Sequence, residues 1–159
     1  MSEEYKLACA KTVFRQFCDA LDARGWNYRA NEEELTIRYA VNGEDLEMTF
    51  LAWMDVDREL IRLISTMPFK FAEDKRIDGA IVTCAATDGL RQGCFDYDLS
   101  DGKINFRIVQ TYKDCVLEQS LFDYLINYPV FIVDKYNDQF FGVNKGMISI
   151  TDFVNKKYN

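Results

Sequence analysis

Between residues 3 and 24 the apolar positions Leu7, Ala10, Phe14, Phe17 and Leu21 recur at steps of three and four. That spacing lays one stripe along an α-helix, with Val13 and Cys18 on its flanks. Ser2 followed by Glu3 and Glu4 supplies an acidic start, and Gly25 is the expected stop. From Trp26 the period falls to two: Leu35, Ile37 and Tyr39 alternate with Thr36 and Arg38, and Leu46, Met48 and Phe50 alternate with Glu47 and Thr49. With VNGED between the two runs, the pattern predicts an antiparallel meander with one wet face. A further strand is expected over residues 59–65, where Leu60, Arg62 and Ile64 oppose Ile61, Leu63 and Ser65, and Pro68 is expected to end its pairing.

A helical period returns after residue 71. Ile77, Ala80, Ile81, Cys84 and Ala85 form one side, Gly79 allows close approach to a sheet, and Gly89 or Gly93 caps the exit. Residues 116–128 read as another helix with Leu117, Leu121, Tyr124 and Leu125 inward. Pro129 then opens a new helix carrying Val133, Tyr136, Phe140 and Val143 up to a stop near Gly146. A short last turn capped by Thr151 carries Phe153 and Val154. The expected fold is α+β over one domain, residues 1–159: N-terminal helix, antiparallel β-meander, central helix, β-hairpin and C-terminal helices.

The hairpin lies in GCFDYDLSDGKINFRIVQTY, residues 93–112, whose Asp96, Asp98 and Asp101 also suggest a calcium loop. The register of an EF-hand excludes that reading. Counted from Asp96, position six is Asp101, the glycine arrives one place late as Gly102, and position twelve is Arg107 where the site needs a bidentate Glu. Alternation explains the same letters, since Phe95, Tyr97 and Leu99 are apolar on one side of Asp-Gly and Ile104, Phe106 and Ile108 on the other. Asp101 and Gly102 are expected as a two-residue type I′ loop. Leu99 then faces Ile104, Tyr97 faces Phe106, and Asp96 faces Arg107 as a surface pair that sets the register.

Charge removes several functions. With 26 acidic and 19 basic residues the net charge is -7, and no basic run interleaved with aromatics occurs, so nucleic acid is not an expected partner. The first residues, MSEEYKLACAKTVF, are acidic before they are apolar, and no apolar run approaches the roughly 18–20 residues of a membrane span. A cytoplasmic protein without membrane insertion is expected. The five cysteines, Cys9, Cys18, Cys84, Cys94 and Cys115, show no CxxC spacing and are read as reduced, small core residues.

Candidate chemistry is sparse. The chain has no histidine, which removes Ser-His-Asp and Cys-His machinery, and it carries neither GxGxxG nor a P-loop. Asp55 with Asp57, and Asp96 with Asp98, read as same-face neighbours on strands rather than acid–base pairs, and Glu32, Glu33 and Glu34 as a loop. Neither catalytic residues nor a metal or cofactor is expected. Trp53, a large aromatic placed at a strand end, and the Asp96, Asp98 and Arg107 face are the candidate partner-facing positions.

The stretch PFKFAEDKRIDGAIVTCAATDGLRQGCFDYDLSDGKINFR, followed by LFDYLI and VDKYNDQFFGVNKG, resembles the bacterial YbjN-domain proteins, described as sensory transduction regulators. The likeness rests on the EDKR helix start, the G-x-FDYD-x-x-DG-x-I-x-FR hairpin and KYND ahead of KG, over roughly residues 66–146. It implies a fold like that of type III secretion chaperones. It also implies a homodimer that holds segments of another protein; MISITDFVNKKYN departs from the family as an extra segment and is expected to cover or extend a dimer surface. The expected function is therefore non-enzymatic protein binding or regulation of a chaperone-like kind. The alternative is a small-molecule-sensing domain with Trp26, Trp53 or Tyr97 lining a cavity between sheet and helices. An enzyme using carboxylates or Cys94 is the least favoured reading.

Overall fold

The computed structural model describes residues 2–44 and 46–158, so Asp45 of the VNGED turn lies outside the described residues. Helix α1 (Glu3–Asp22) precedes the strands β1 (Tyr28–Asn31), β2 (Thr36–Asn42), β3 (Glu47–Asp55) and β4 (Leu60–Lys70). After a short 3-10 turn at Glu73–Lys75 come α2 (Arg76–Thr87), β5 (Cys94–Asp98), β6 (Lys103–Thr111), α3 (Gln119–Asn144) and α4 (Ile150–Tyr158). The six strands form one antiparallel sheet in the order β1-β2-β3-β4-β6-β5. This is the expected α+β layout.

Period-two patterning sets the two faces. Ile37, Tyr39, Phe50, Ala52, Ile61, Leu63, Phe106 and Ile108 are buried on the inner face, where α1 packs against β3, and α3 against β3, β4 and β6. Phe17 of α1 meets Phe122 of α3 edge to face at 6.1 Å, and Phe95 meets Phe140 at 5.0 Å, so aromatics join the helical layer to itself and to the sheet. Ser2 accepts a hydrogen bond from the Tyr5 amide as the acidic start implies.

Several local expectations are corrected. Helix α2 buries Gly79, Val82, Thr83, Ala85 and Ala86, and leaves Ile77, Ile81 and Cys84 exposed. The small face goes inward because the helix comes so close to the sheet that a Cβ at Gly79 would lie 2.5 Å from the Tyr97 hydroxyl and 2.7 Å from Phe71. Helix α3 is continuous through Pro129, since buried Phe122, Leu125, Ile126, Ile132 and Val133 flank the proline and offset its missing amide. Tyr124, expected inward, is exposed, and Phe122 and Ile126 take the inner positions. Strand β4 runs past Pro68 to Lys70 because a bulge between Thr66 and Lys70 accommodates the proline. Ser149, not Thr151, caps α4, accepting from the Asp152 amide at 3.0 Å while its hydroxyl donates to the Asp152 carboxylate. The cysteines are free but not buried in the core: Cys84 and Cys115 are exposed, Cys94 is half-buried, and Cys9 and Cys18 are half-buried against the core's edge.

The hairpin register also differs. Phe95 stands opposite Phe106, Asp96 opposite Asn105, Tyr97 opposite Ile104 and Cys94 opposite Arg107, which makes Leu99, Ser100, Asp101 and Gly102 a four-residue loop. The Asp98 carboxylate accepts from the amide and hydroxyl of Ser100, and the Asp101 carboxylate from the Lys103 amide, so side chains hold the wider turn. Of Asp101 and Gly102 only Gly102 has positive φ, at 77°, so the type I′ pair is not formed. The shift is by two residues, and every side chain therefore keeps its face. Leu99 alone leaves the apolar face, for the exposed loop.

Candidate functional site

With the helices on the inner face, the alternating residues of every strand look outward, and the pairing places them in transverse rows. One row reads Arg29, Arg38, Leu51, Ile64, Arg107 and Cys94 from β1 across to β5. The next reads Asn31, Thr36, Trp53, Arg62 and Val109. Strands lie ~4.8 Å apart, so Arg29 and Arg107 are roughly 19 Å from one another. Leu51, Ile64, Arg62 and Val109 are half-buried, the state of a face with an apolar centre and no second layer over it.

Into this face sinks a groove of about 600 Å³, lined by Arg29, Arg38, Ala40, Leu51, Ile64 and Thr66 among others. Threonine and aliphatic side chains make its floor, and two guanidinium groups stand on its β1–β2 side. Arg29 and Arg38 are directly opposite one another and both exposed. Among the described residues the ion pairs engage other partners: Arg15 takes Glu32, Arg24 takes Asp123, and Arg58 takes Asp55.

At the other side of the sheet Arg107 donates to Asp96 from Nε at 2.7 Å and from a terminal nitrogen at 3.1 Å. These hydrogen bonds hold the Asp96 carboxyl below the usual range and raise Arg107 further above neutrality. Cys94 lies 3.2 Å from the same guanidinium. Burial and, next, the Asp96 charge nevertheless push its thiol up, the reverse of what an activated nucleophile needs.

The four candidate positions share the outer face without forming one cluster. Asp96 and Arg107 meet; Asp98 is spent on its own loop, and its pKa is lowered by the Ser100 hydroxyl and amide. Trp53 sits inside β3, not at its end, two strands from β6, with the Arg62 guanidinium 5.1 Å above its ring. The three carboxylates that suggested a calcium loop are separately engaged, Asp96 by Arg107, Asp98 by Ser100 and Asp101 by Lys70 at 2.6 Å. Asp55 is buried at the end of β3 and Asp57 lies exposed in the turn after it, so they share no strand face. Trp26 packs on Tyr39, and Tyr97 meets Phe71 edge to face, both on the inner side. Trp53, on the outer face, therefore shares no cavity with Trp26 or Tyr97 among the described residues. Arg29, Leu51 and Ile64 were not legible as a site from spacing, because their nearness comes from pairing across four strands.

The fold and this face define an α+β protein with a one-sided helical layer and an open, grooved sheet surface. No protein-family model and no curated protein matches the chain. Among the described residues no helix is long and apolar enough to cross a membrane, and no group of three or more His, Cys, Asp or Glu is placed to hold a metal ion.

Proposed function

We propose that this chain is a non-enzymatic binding protein that holds a segment of another polypeptide on the outer face of its sheet, in the manner of a chaperone or regulatory adaptor. The observation that carries the reading is the uncovered row of Leu51 and Ile64 beside Trp53 and Val109, apolar residues of β3, β4 and β6 that are half-buried or, at Trp53, exposed, while the helices of the described residues pack on the opposite face. The resemblance to YbjN-domain proteins and to the secretion-chaperone fold supports the same reading and a cytoplasmic setting. A homodimer belongs to this proposal, because Ile77, Ile81 and Cys84 leave an apolar stripe open on α2, away from the sheet face.

The test is capture from the native host followed by mass spectrometry, with wild type and the Leu51→Asp, Ile64→Asp double variant run in parallel. A partner enriched by wild type and lost by the variant is expected. No enriched polypeptide, or one the variant retains, counts against the outer face.

The groove of about 600 Å³ favours a second reading, a small-molecule sensor, since its volume falls within the range of ligand pockets. A metabolite library screened by thermal shift separates the two, because a ligand of the native state must raise the midpoint. A saturating shift abolished by Leu51→Asp would favour the sensor.

A further inference from the structure

The feature that the chain's own contacts leave unexplained is the Arg29–Arg38 pair. Like charges directly opposite on neighbouring strands oppose pairing, and on a chain of net charge -7 carboxylates are plentiful. Among the described residues none forms an ion pair with these two: the nearby acidic loop sends Glu32 to Arg15, 3.5 Å away, on α1. The arginines instead line the groove, with Leu51 and Ile64 next in the same row and Arg107 beyond them. Read from β1 to β6, the row is cation, cation, apolar, apolar, cation, the last of them already paired with Asp96.

Resting on the reading that this face holds a polypeptide, we propose that the segment it takes is acidic and amphipathic, with carboxylates meeting Arg29 and Arg38 and apolar side chains over Leu51 and Ile64. A guanidinium grips a carboxylate bidentately, and two such groups side by side make a receptor for closely spaced Asp or Glu residues. The apolar centre continues into the adjacent row at Trp53 and Val109, which gives the segment's uncharged side chains a second line of contact. Charge also selects against other occupants. Packing a second copy face to face about a two-fold axis along the strands lays β2 over β6 and β1 over β5, which sets Arg38 over Arg107, whose carboxylate partner is already engaged, and Arg29 over Cys94. An axis across the strands sets arginine over arginine. A small anionic amphiphile would fill the groove but leave Trp53, Val109 and the far end of the row uncovered.

The experiment titrates two synthetic peptides into the full chain, one with Glu residues flanking a Leu and Ile centre and one with Lys in place of each Glu. Trp26→Phe leaves Trp53 as the fluorescent reporter. The acidic peptide is expected to bind at least about tenfold more tightly than the basic one, to weaken as salt rises, and to lose about tenfold on Arg29→Ala with Arg38→Ala. Arg29→Lys with Arg38→Lys should retain part of the affinity. Circular dichroism confirms that these exposed positions leave the fold intact. Equal binding of the basic peptide, indifference to the arginine variants, or displacement by dodecanoate would overturn the proposal. So would a dimer in sedimentation equilibrium that Arg38→Glu dissociates. A polypeptide captured on the outer face with no dependence on salt or on Arg29 and Arg38 removes the acidic preference alone; no polypeptide on that face removes both readings.

Discussion

Arg107 holds Asp96 through two hydrogen bonds, although neither is the other's cross-strand partner: Asp96 stands opposite Asn105, and Arg107 opposite Cys94. The contact is diagonal, within reach of a long side chain on the same sheet face. The Asp96 pKa is lowered chiefly by those hydrogen bonds, so its contribution to stability is full above the unfolded carboxylate's pKa and is lost as pH falls through the lower folded value. Asp96→Asn is expected to reduce stability near neutrality by only about 0.2–1 kcal/mol, because solvent screens the half-exposed pair. Urea denaturation should show wild type and variant converging in strong acid. A difference that persists there would assign the effect to packing and not to charge.

Arg29 and Arg38 lead to the opposite sign. Removing one of two like charges placed directly opposite is expected to stabilise the protein, so Arg29→Ala should gain about 0.2–1 kcal/mol while weakening whatever the face binds. Arg38→Glu should gain more, by making an attractive pair with Arg29. Chemical denaturation at low and high salt checks both, and the gain should shrink as salt rises. A loss of stability in both variants would mean that the arginines support the sheet.

The thiols provide a third test. Cys84 and Cys115 are exposed, whereas Cys94 is half-buried with its pKa raised by burial first and by Asp96 next. Timed alkylation at neutral pH, read by peptide mass mapping, should label Cys84 and Cys115 before Cys94. Asp96→Asn should speed Cys94 labelling, because it removes a raising charge and leaves the Arg107 guanidinium to favour the thiolate. Arg107→Gln should slow it. Rapid labelling of Cys94 in wild type would reopen the case for a reactive cysteine there.

What the chain revealed in advance was its faces, and what it hid was distance. Period-two alternation correctly put Arg38 on the wet side and Ile37 and Tyr39 on the dry side, since orientation in a strand depends only on parity. Helical periodicity found the inner stripe of α1 from Ala10 to Leu21, though Leu7 is exposed and Val13, placed on the flank, is buried; it misassigned α2, where hydrophobicity pointed Ile77 and Ile81 inward while close approach at Gly79 decided for the small face. Pro129 read as a boundary because local preference is all a sequence window contains, and the packing on both sides of it is tertiary. The hairpin was found with its register off by two, since the Asp98 and Asp101 side-chain bonds that widen the loop compete with the Asp-Gly preference. The Asp96–Arg107 contact survived that slip, as a two-residue shift keeps both on one face. The groove did not emerge in advance, for Arg29 and Ile64 are 35 positions apart and meet only through sheet order.

Two glycines separate backbone strain from close packing. Gly25 and Gly102 both have positive φ, at 67° and 77°, so alanine is strained at either. A Cβ at Gly25 would meet nothing within 4 Å, whereas one at Gly102 would lie 2.3 Å from the Phe71 carbonyl oxygen. The Gly102 carbonyl also accepts from the Phe71 amide at 2.9 Å, which ties the hairpin loop to the chain just past β4. Gly25→Ala should therefore cost only the left-handed strain, about 1–2 kcal/mol. Gly102→Ala should cost about 1–3 kcal/mol more, because main chain on both sides must move. Its amide exchange should rise at Phe71 first, since that hydrogen bond breaks when the loop withdraws. Equal losses at the two sites in urea denaturation would show that the hairpin tip is free to shift away from Phe71, and that the end of β4 is held without it.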